Sequence, residues 1–387
     1  MDFTELNFII NKFFNSTKIL NIDFINSGLV NRTYLVEHLY NGINSKFILQ
    51  CLNNIFEPYD RLNFNHELIT NHFNKKINNN SFSSDWGRWE VPFLIKCQSN
   101  NRYIFTFESN SWRAIRYIDQ TFTTDLLEDK IMAYQTGLGL AKFHLTCSDI
   151  EASKLNKSIE NFHNTNYYIN QYDIALEKYD FMKLDDKLMK RINYLIYSID
   201  NHKKYAKFLF DSLKNRDIDQ IVIHGDPKLS NFLFDVKRKF VVSLIDLDTV
   251  SKGYLLIDLA DCIRSICNLT GEDTENIDKV YFDINSCMQF LIGYLSITSK
   301  KFDRNLSFLP EFIYLIIFEL TIRFFTDFLQ SNKYFTIKYP TQNLFRAEVQ
   351  YRLLSSFLTN ISHFTNELHG IGISSGSTFV SDVEKFA

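Results

Sequence analysis

The chain has 387 residues, enough to bury a large core and to divide into two lobes. Hydrophobic residues make up 45% and charged residues 22%, an ordinary balance for a globular protein in water. A net charge of −3 leaves no basic surface for phosphate-backbone binding, so no nucleic-acid partner is expected.

The first third reads as strands with turns between them. Ile19 to Ser27 is a strand ending at Gly28, and Thr33 to Tyr40 is a second. Asn41-Gly42 marks a hairpin, because both residue types tolerate positive φ, and Phe47 to Leu52 is the third strand. Pro58 opens a helix to about Phe73, with Leu62, Leu68, Ile69 and Phe73 available for one apolar face. Asn74 to Asp85 is rich in Asn and Ser and reads as a loop. Strands Phe93 to Gln98 and Arg102 to Glu108 flank the turn residues Ser99-Asn100-Asn101, and Trp112 to Ile118 is the last strand of this part.

After about residue 120 the texture becomes helical. Glu128 to Leu145 carries apolar residues at helical spacing, and Phe162 to Leu213 reads as two or more helices. A short β-rich insert spans Ile221 to Leu247, and helices resume from about Ile257 to about Thr365. Gly370 to Ala387 is small and polar and is expected to fray. The reading is an α+β fold: a β-rich lobe over 1–118, a mainly helical lobe over 119–369, and a tail over 370–387.

The six cysteines (Cys51, Cys97, Cys147, Cys262, Cys267 and Cys287) are scattered, without the paired spacing of a zinc knuckle or a disulfide framework. Reduced, buried thiols are expected. The opening Met1-Asp2-Phe3-Thr4-Glu5 lacks the basic and long apolar regions of a secretory signal. The most apolar run, Phe308 to Phe325, is broken by Pro310, Glu319 and Arg323, which favours a buried helix over a membrane span. A cytoplasmic protein with no membrane partner is expected.

Chemistry concentrates between Ile221 and Thr249. The apolar strand Ile221-Val222-Ile223 delivers His224-Gly225-Asp226-Pro227-Lys228-Leu229-Ser230-Asn231, and Val241 to Ile245 then delivers Asp246-Leu247-Asp248-Thr249. Phosphoryl transfer needs a carboxylate near the acceptor hydroxyl and hard oxygen ligands for the Mg2+ that bridges the phosphates. An Asp, an Asn five residues on, and a second Asp from a neighbouring strand supply that set; most of the remaining catalysis is positioning and electrostatics.

At these residues the chain resembles the aminoglycoside-phosphotransferase and choline-kinase superfamily, relatives of the protein kinases whose catalytic loop reads His-Gly-Asp-x-x-x-x-Asn followed by an Ile-Asp pair. The resemblance implies a protein-kinase-like two-lobe fold and ATP as phosphoryl donor. It implies Asp226 as the catalytic aspartate, Asn231 and Asp246 as magnesium ligands, and His224 as support for the loop backbone. Asp248 is a further metal-site residue that could stand behind the ion or exchange roles with Asp246; the latter follows directly on the apolar strand and is favoured. Lys228 resembles a basic residue that offsets charge on the transferred phosphoryl group, with a solvated lysine as the alternative.

A narrower resemblance, to the N-acetylhexosamine 1-kinase branch, rests on several phrases in order. They are Gly28-Leu29-Val30-Asn31-Arg32-Thr33-Tyr34, Phe47-Ile48-Leu49-Gln50, Trp112-Arg113-Ala114-Ile115-Arg116-Tyr117-Ile118 and Asp258-Leu259-Ala260-Asp261-Cys262-Ile263-Arg264. Glu319-Leu320-Thr321-Ile322-Arg323-Phe324, Tyr334-Phe335 and Lys338-Tyr339-Pro340 follow. It implies that Asp226, Arg323 and Tyr334 contact a sugar acceptor; for Arg323 the alternative is an ion pair with Glu319 or Asp327, four residues away on either side. Asp261 and Arg264 are expected to pair structurally.

The nucleotide end is read from the first strands. Gly28 and Asn31 sit where kinases fold a loop over the phosphates, and adenine is expected against Arg116 to Ile118, Tyr117 and Ile118 included. Where protein kinases place a lysine on the third strand paired with a helix glutamate, this chain has Gln50, with Glu67 on the following helix. The phosphate-binding cation is therefore open, with Arg32 and Lys46 as candidates. Other acceptors (an aminoglycoside, a choline-like amine, an amino alcohol) and a non-catalytic binding module remain alternatives; the retained Asp226, Asn231 and Asp246 speak against the last.

Overall fold

The computed structural model describes residues 3–25, 30–79, 82, 86–181, 185–274, 276–298, 303–374 and 379. The amino-terminal part is helix α1 (Phe3–Phe13) followed by strands β1 (Lys18–Ile25), β2 (Arg32–Tyr40) and β3 (Ile43–Leu52), then helix α2 (Tyr59–Asn78). Strands β4 (Leu94–Ile95), β5 (Ile104–Phe107) and β6 (Asn110–Arg116) complete one antiparallel sheet, ordered β1-β2-β3-β6-β4 with β5 also on β6. The β2–β3 register closes at Tyr40↔Ile43 around Asn41 and Gly42, whose φ values of 50° and 76° are those the hairpin turn demands.

The strand expected at Phe47 starts earlier, at Ile43, and the helix from Pro58 runs on to Asn78. The strand expected over Phe93 to Gln98 shrinks to Leu94–Ile95, because Cys97 leaves the ladder to bond with Arg102 across the turn. Helix α1 was not anticipated. Its Leu6, Ile9, Ile10 and Phe13 form one buried stripe against Val36, Phe47, Leu49, Trp112 and Ala114, and this cluster is the core of the amino-terminal lobe.

The short strand β7 (Thr121–Phe122) leads into α3 (Lys130–Cys147), capped where Asp129 accepts from the Met132 amide at 2.8 Å. Helices α4 (Thr165–Lys178) and α5 (Asp186–Lys214) follow, then β8 (Gln220–Ile223), β9 (Phe232–Asp235), β10 (Val241–Leu244) and β11 (Ser251–Tyr254). These make two small antiparallel sheets, β10-β9-β7 and β11-β8, and β11 was not read from the sequence. Helices α6 (Leu255–Cys267), α7 (Ile284–Thr298), α8 (Leu309–Leu329), α9 (Gln342–Thr359) and α10 (Ile361–Gly370) complete the carboxyl-terminal part.

The run that is too interrupted for a membrane span is α8, almost wholly buried at the centre of the larger core. Among the described residues no helix is long and apolar enough to cross a membrane, and all six cysteines are free and buried. Beyond residue 374 the expected tail lies outside the described residues, apart from 379. The molecule is an α+β protein with an antiparallel sheet at its amino-terminal end and a helical carboxyl-terminal part.

Candidate active site

Strand β8 ends at Ile223, and the next residues turn sharply away from the sheet. Gly225 sits at φ 86°, and a Cβ there would come within 2.7 Å of the Thr249 carbonyl oxygen, so this turn requires glycine. Asp258, fully buried near the start of α6, holds the turn with both oxygens. Its Oδ2 accepts from the His224 amide at 2.6 Å and its Oδ1 from the Gly225 amide at 2.8 Å. The ring of His144 lies 2.9 Å from Oδ2 on its other side. His224 then joins the two strand ends, with Nε2 2.9 Å from the Ile245 carbonyl and Nδ1 accepting from the Asp226 amide at 3.3 Å.

This anchored loop carries Asp226. Lys228 Nζ lies 3.0 Å from Asp226 Oδ2, and burial raises the carboxyl while Lys228 more than reverses that, leaving it below the usual range. Burial alone would lower Lys228, but Asp226 and Asp246 hold its ammonium firmly protonated. Asn231 ends a 3-10 turn, Leu229–Asn231, and donates Nδ2 to the Asp226 carbonyl at 2.7 Å. That fixes the side-chain amide. Asp246 follows β10 in the left-handed region at φ 65°, a strained conformation for a non-glycine residue. Burial pushes its carboxyl up to about 7, helped by the neighbouring Asp248 and Asp226.

Asp248 is held differently. Its Oδ1 is 2.6 Å from Arg113 NH1, and its Oδ2 accepts from Arg113 NH2 at 2.8 Å and from Asn31 Nδ2 at 2.9 Å. Arg113, on β6, also donates Nε and NH2 to Gln50 Oε1 at 2.9 and 2.7 Å, while Gln50 Nε2 donates to Thr33. The cation beside Gln50 is thus Arg113. Neither candidate fills that place: Arg32 bonds Asn110 and Cys51, and Lys46 pairs with Glu37. Glu67 accepts from the Tyr103 hydroxyl at 3.0 Å instead of facing Gln50.

One cavity of about 390 Å3 joins these groups. Its walls include Asn31, Gln50, Arg113, Arg116, Tyr117 and Ile118 from the amino-terminal sheet and Asp226, Lys228, Asn231, Asp246 and Asp248 from the strand ends. Arg323 and Tyr334 line it at the helical side, and His224 lies behind it in the loop. Gly28 lies outside the described residues. Arg323 donates NH2 to the Tyr334 hydroxyl at 3.4 Å, and its guanidinium lies over the rings of Phe162, Tyr168, Tyr334 and Phe335. Its contact with Glu319 is long, at 3.9 Å, and Asp327 is occupied capping the Tyr334 and Phe335 amides. Arg264 pairs with Asp261 at 2.8 Å and with Glu272 at 2.6 Å.

Sequence reading missed Arg113, Asp258, His144 and His163 as site residues. A charge inside the apolar strand Trp112–Ile115 was a usable signal for Arg113; the others depend on contacts across dozens of residues that no local pattern encodes.

Comparison with known proteins gives the same chemistry a family. Residues 112–289, which contain the whole loop from His224 to Thr249, match the model of a phosphotransferase enzyme family, APH. The chain carries an APH phosphotransferase domain. The chain is an ATP-dependent phosphotransferase that acts on a small molecule. Solved structures similar to this phosphotransferase share its protein-kinase-like fold. An aminoglycoside phosphotransferase from Alicyclobacillus acidocaldarius is 13% identical with a TM-score of 0.58, covering 92% of this chain and 95% of that one. Choline kinase from Cryptosporidium parvum is 14% identical with a TM-score of 0.54, covering 99% and 100%. Spectinomycin phosphotransferase in complex with ADP and spectinomycin is 15% identical with a TM-score of 0.56, covering 90% and 93%.

Proposed function

We propose that this phosphotransferase moves the γ-phosphoryl group of ATP to the anomeric hydroxyl of an N-acetylhexosamine or a closely related sugar. The observation that carries the reading is the convergence of Asp226, Asn231 and Asp246 on one cavity that also holds Arg323 and Tyr334. In this reading residues 1–118 bind the nucleotide, with adenine against Tyr117 and Ile118 and the phosphates near Asn31, Gln50 and Arg113. Residues 119–369 carry the catalytic loop and the acceptor pocket.

The donor set suits magnesium. Asp246 is a buried carboxyl with Asp248 and Asp226 close by, and Asn231 Oδ1 adds a neutral oxygen; hard oxygen donors of this kind suit Mg2+. Magnesium, when bound, offsets the charge of the phosphate oxygens. Asp248 is committed to Arg113 and Asn31, which leaves Asp246 as the carboxylate ligand.

Asp226 stays ionised at neutral pH beside Lys228, so it accepts a hydrogen bond from the acceptor hydroxyl and aims its oxygen at phosphorus. The new O–P bond forms as the bond from phosphorus to the β-phosphate oxygen breaks; ADP leaves, and the hydroxyl proton passes to Asp226. Lys228 is placed to offset the charge that spreads over the phosphoryl oxygens.

The fold neighbours include enzymes for choline and for spectinomycin, both cationic molecules that call for free carboxylates or an open aromatic cage. Here Asp261 and Glu272 are both paired with Arg264, and the aromatic box of Phe162, Tyr168, Tyr334 and Phe335 already surrounds Arg323. A neutral, hydroxyl-rich acceptor fits that balance. A panel of free sugars, aminoglycosides, choline and amino alcohols with magnesium–ATP tests it by ADP release. Release is expected with N-acetylhexosamines and is expected to stop with EDTA; turnover confined to the amines would overturn the sugar assignment.

A further inference from the structure

Between Arg323 and the loop that carries Asp226, on the wall of the same cavity, stands His163. It follows Asn161 in a segment where both residues sit at positive φ, 57° and 55°, and Asn164 next to it caps α4 by accepting from the Tyr167 amide. The strained segment is therefore pinned to a helix end, and it presents the His163 ring to the wall of the cavity. Two acceptors face the ring. Nε2 lies 2.7 Å from the carbonyl oxygen of Gly225, the residue before Asp226, and Nδ1 lies 3.1 Å from Glu319 Oε1. Glu319 is one turn of α8 from Arg323.

A neutral imidazole has one N–H and one lone pair, so it can satisfy only one of two such acceptors. We propose that His163 is a positioning residue held as an imidazolium, whose two N–H groups tie the loop that carries Asp226 to Glu319 on the acceptor-binding helix. The charged groups around it favour that state on balance. Glu319 lies on α8 with Arg323 beyond it, Asp261 and its partner Arg264 on α6, and Asp226 with Lys228 in the loop. Burial disfavours the charge, but Glu319, the Gly225 carbonyl and Asp261 outweigh it and raise the histidine above its ordinary value.

The sign follows. The doubly donating ring exists below the raised value and loses one N–H as pH rises through it, releasing either the loop or Glu319. Acceptor kcat/KM is therefore expected to fall on the alkaline side while nucleotide KM stays level. The consequence rests on Asp226 acting in phosphoryl transfer, but the charge state does not.

The test uses the full chain labelled with 15N-histidine, the His163 signals being assigned by their loss in His163→Gln. Both ring nitrogens are expected to be protonated at pH 7. A neutral tautomer at that pH would overturn the proposal, whatever the acceptor turns out to be. In kinetics with an N-acetylhexosamine and magnesium–ATP, His163→Gln, which keeps one donor and no charge, is expected to lower kcat on the order of 10- to 100-fold and to remove the alkaline limb. An unchanged limb in this variant would also overturn it. If the wild type transfers phosphate to no acceptor, the functional reading fails and the ring nitrogens still decide the state of His163.

Discussion

At Arg323 the guanidinium lies 5.0 to 5.6 Å from four ring centroids, while its nearest carboxylate, Glu319, is 3.9 Å away. An arginine placed only to pair along its helix would close that distance. Instead the rings fix the stem and plane of a guanidinium on the cavity wall, and in the proposed function its N–H groups not spent on Tyr334 meet the acceptor. Arg323→Ala is expected to raise the acceptor KM about 10- to 100-fold, the worth of one or two charge-assisted hydrogen bonds, with a smaller change in nucleotide KM. Steady-state kinetics varying each substrate in turn checks this; equal rises in both would assign Arg323 to structure alone. Spacing alone also allows an ion pair four residues away, with Glu319 or Asp327. Spacing could not show that Asp327 is drawn off by two backbone amides or that Phe162, Tyr168, Tyr334 and Phe335 enclose the charge.

Strand β6 does the corresponding work between elements. It places Arg113, 1% exposed, against Asp248 on the turn after β10, so the amino-terminal sheet and the catalytic turn are joined by a buried ion pair braced by Gln50 and Asn31. Removing one partner strands the other charge in the interior. Arg113→Met is expected to cost about 3–5 kcal/mol of stability, and Arg113→Met with Asp248→Leu to recover most of that loss. Urea midpoints of the two singles and the double measure the coupling; a double variant as unstable as the sum of the singles would show that the pair does not act as a unit. Gln50 alone reads as a missing lysine. Its partner sits 63 positions along the chain and meets it only because β3 and β6 pair with Gln50 opposite Arg113. Register is a property of the folded sheet, so no local pattern identifies the cation beside Gln50.

Over the whole molecule, the cavity lies on the face of the amino-terminal sheet that carries Ile48, Gln50, Arg113 and Ile115, opposite the core of Phe47, Leu49, Trp112 and Ala114, and its other wall comes from short strands between long helices. The alternation of strands then helices was legible because hydrophobic period and turn residues are local. So was the loop from His224 to Asn231 with Asp246, because five-residue spacing within one turn is fixed by the backbone. Helix α1 was legible in principle, from Leu6, Ile9, Ile10 and Phe13 at helical spacing. The scaffold behind the loop was not: Asp258 reaches it from α6, His144 from α3 and His163 from the turn before α4, and only tertiary packing brings them there. In the proposed function all of that scaffold positions Asp226. The direct measurement is therefore phosphoryl transfer by Asp226→Asn at saturating magnesium–ATP, with nucleotide binding followed by thermal shift in the same samples. The expected result is transfer reduced about 10²- to 10⁴-fold with the nucleotide-induced shift retained, because an acceptor-orienting group is lost and no metal ligand is. Near-normal transfer by that variant would contradict the account.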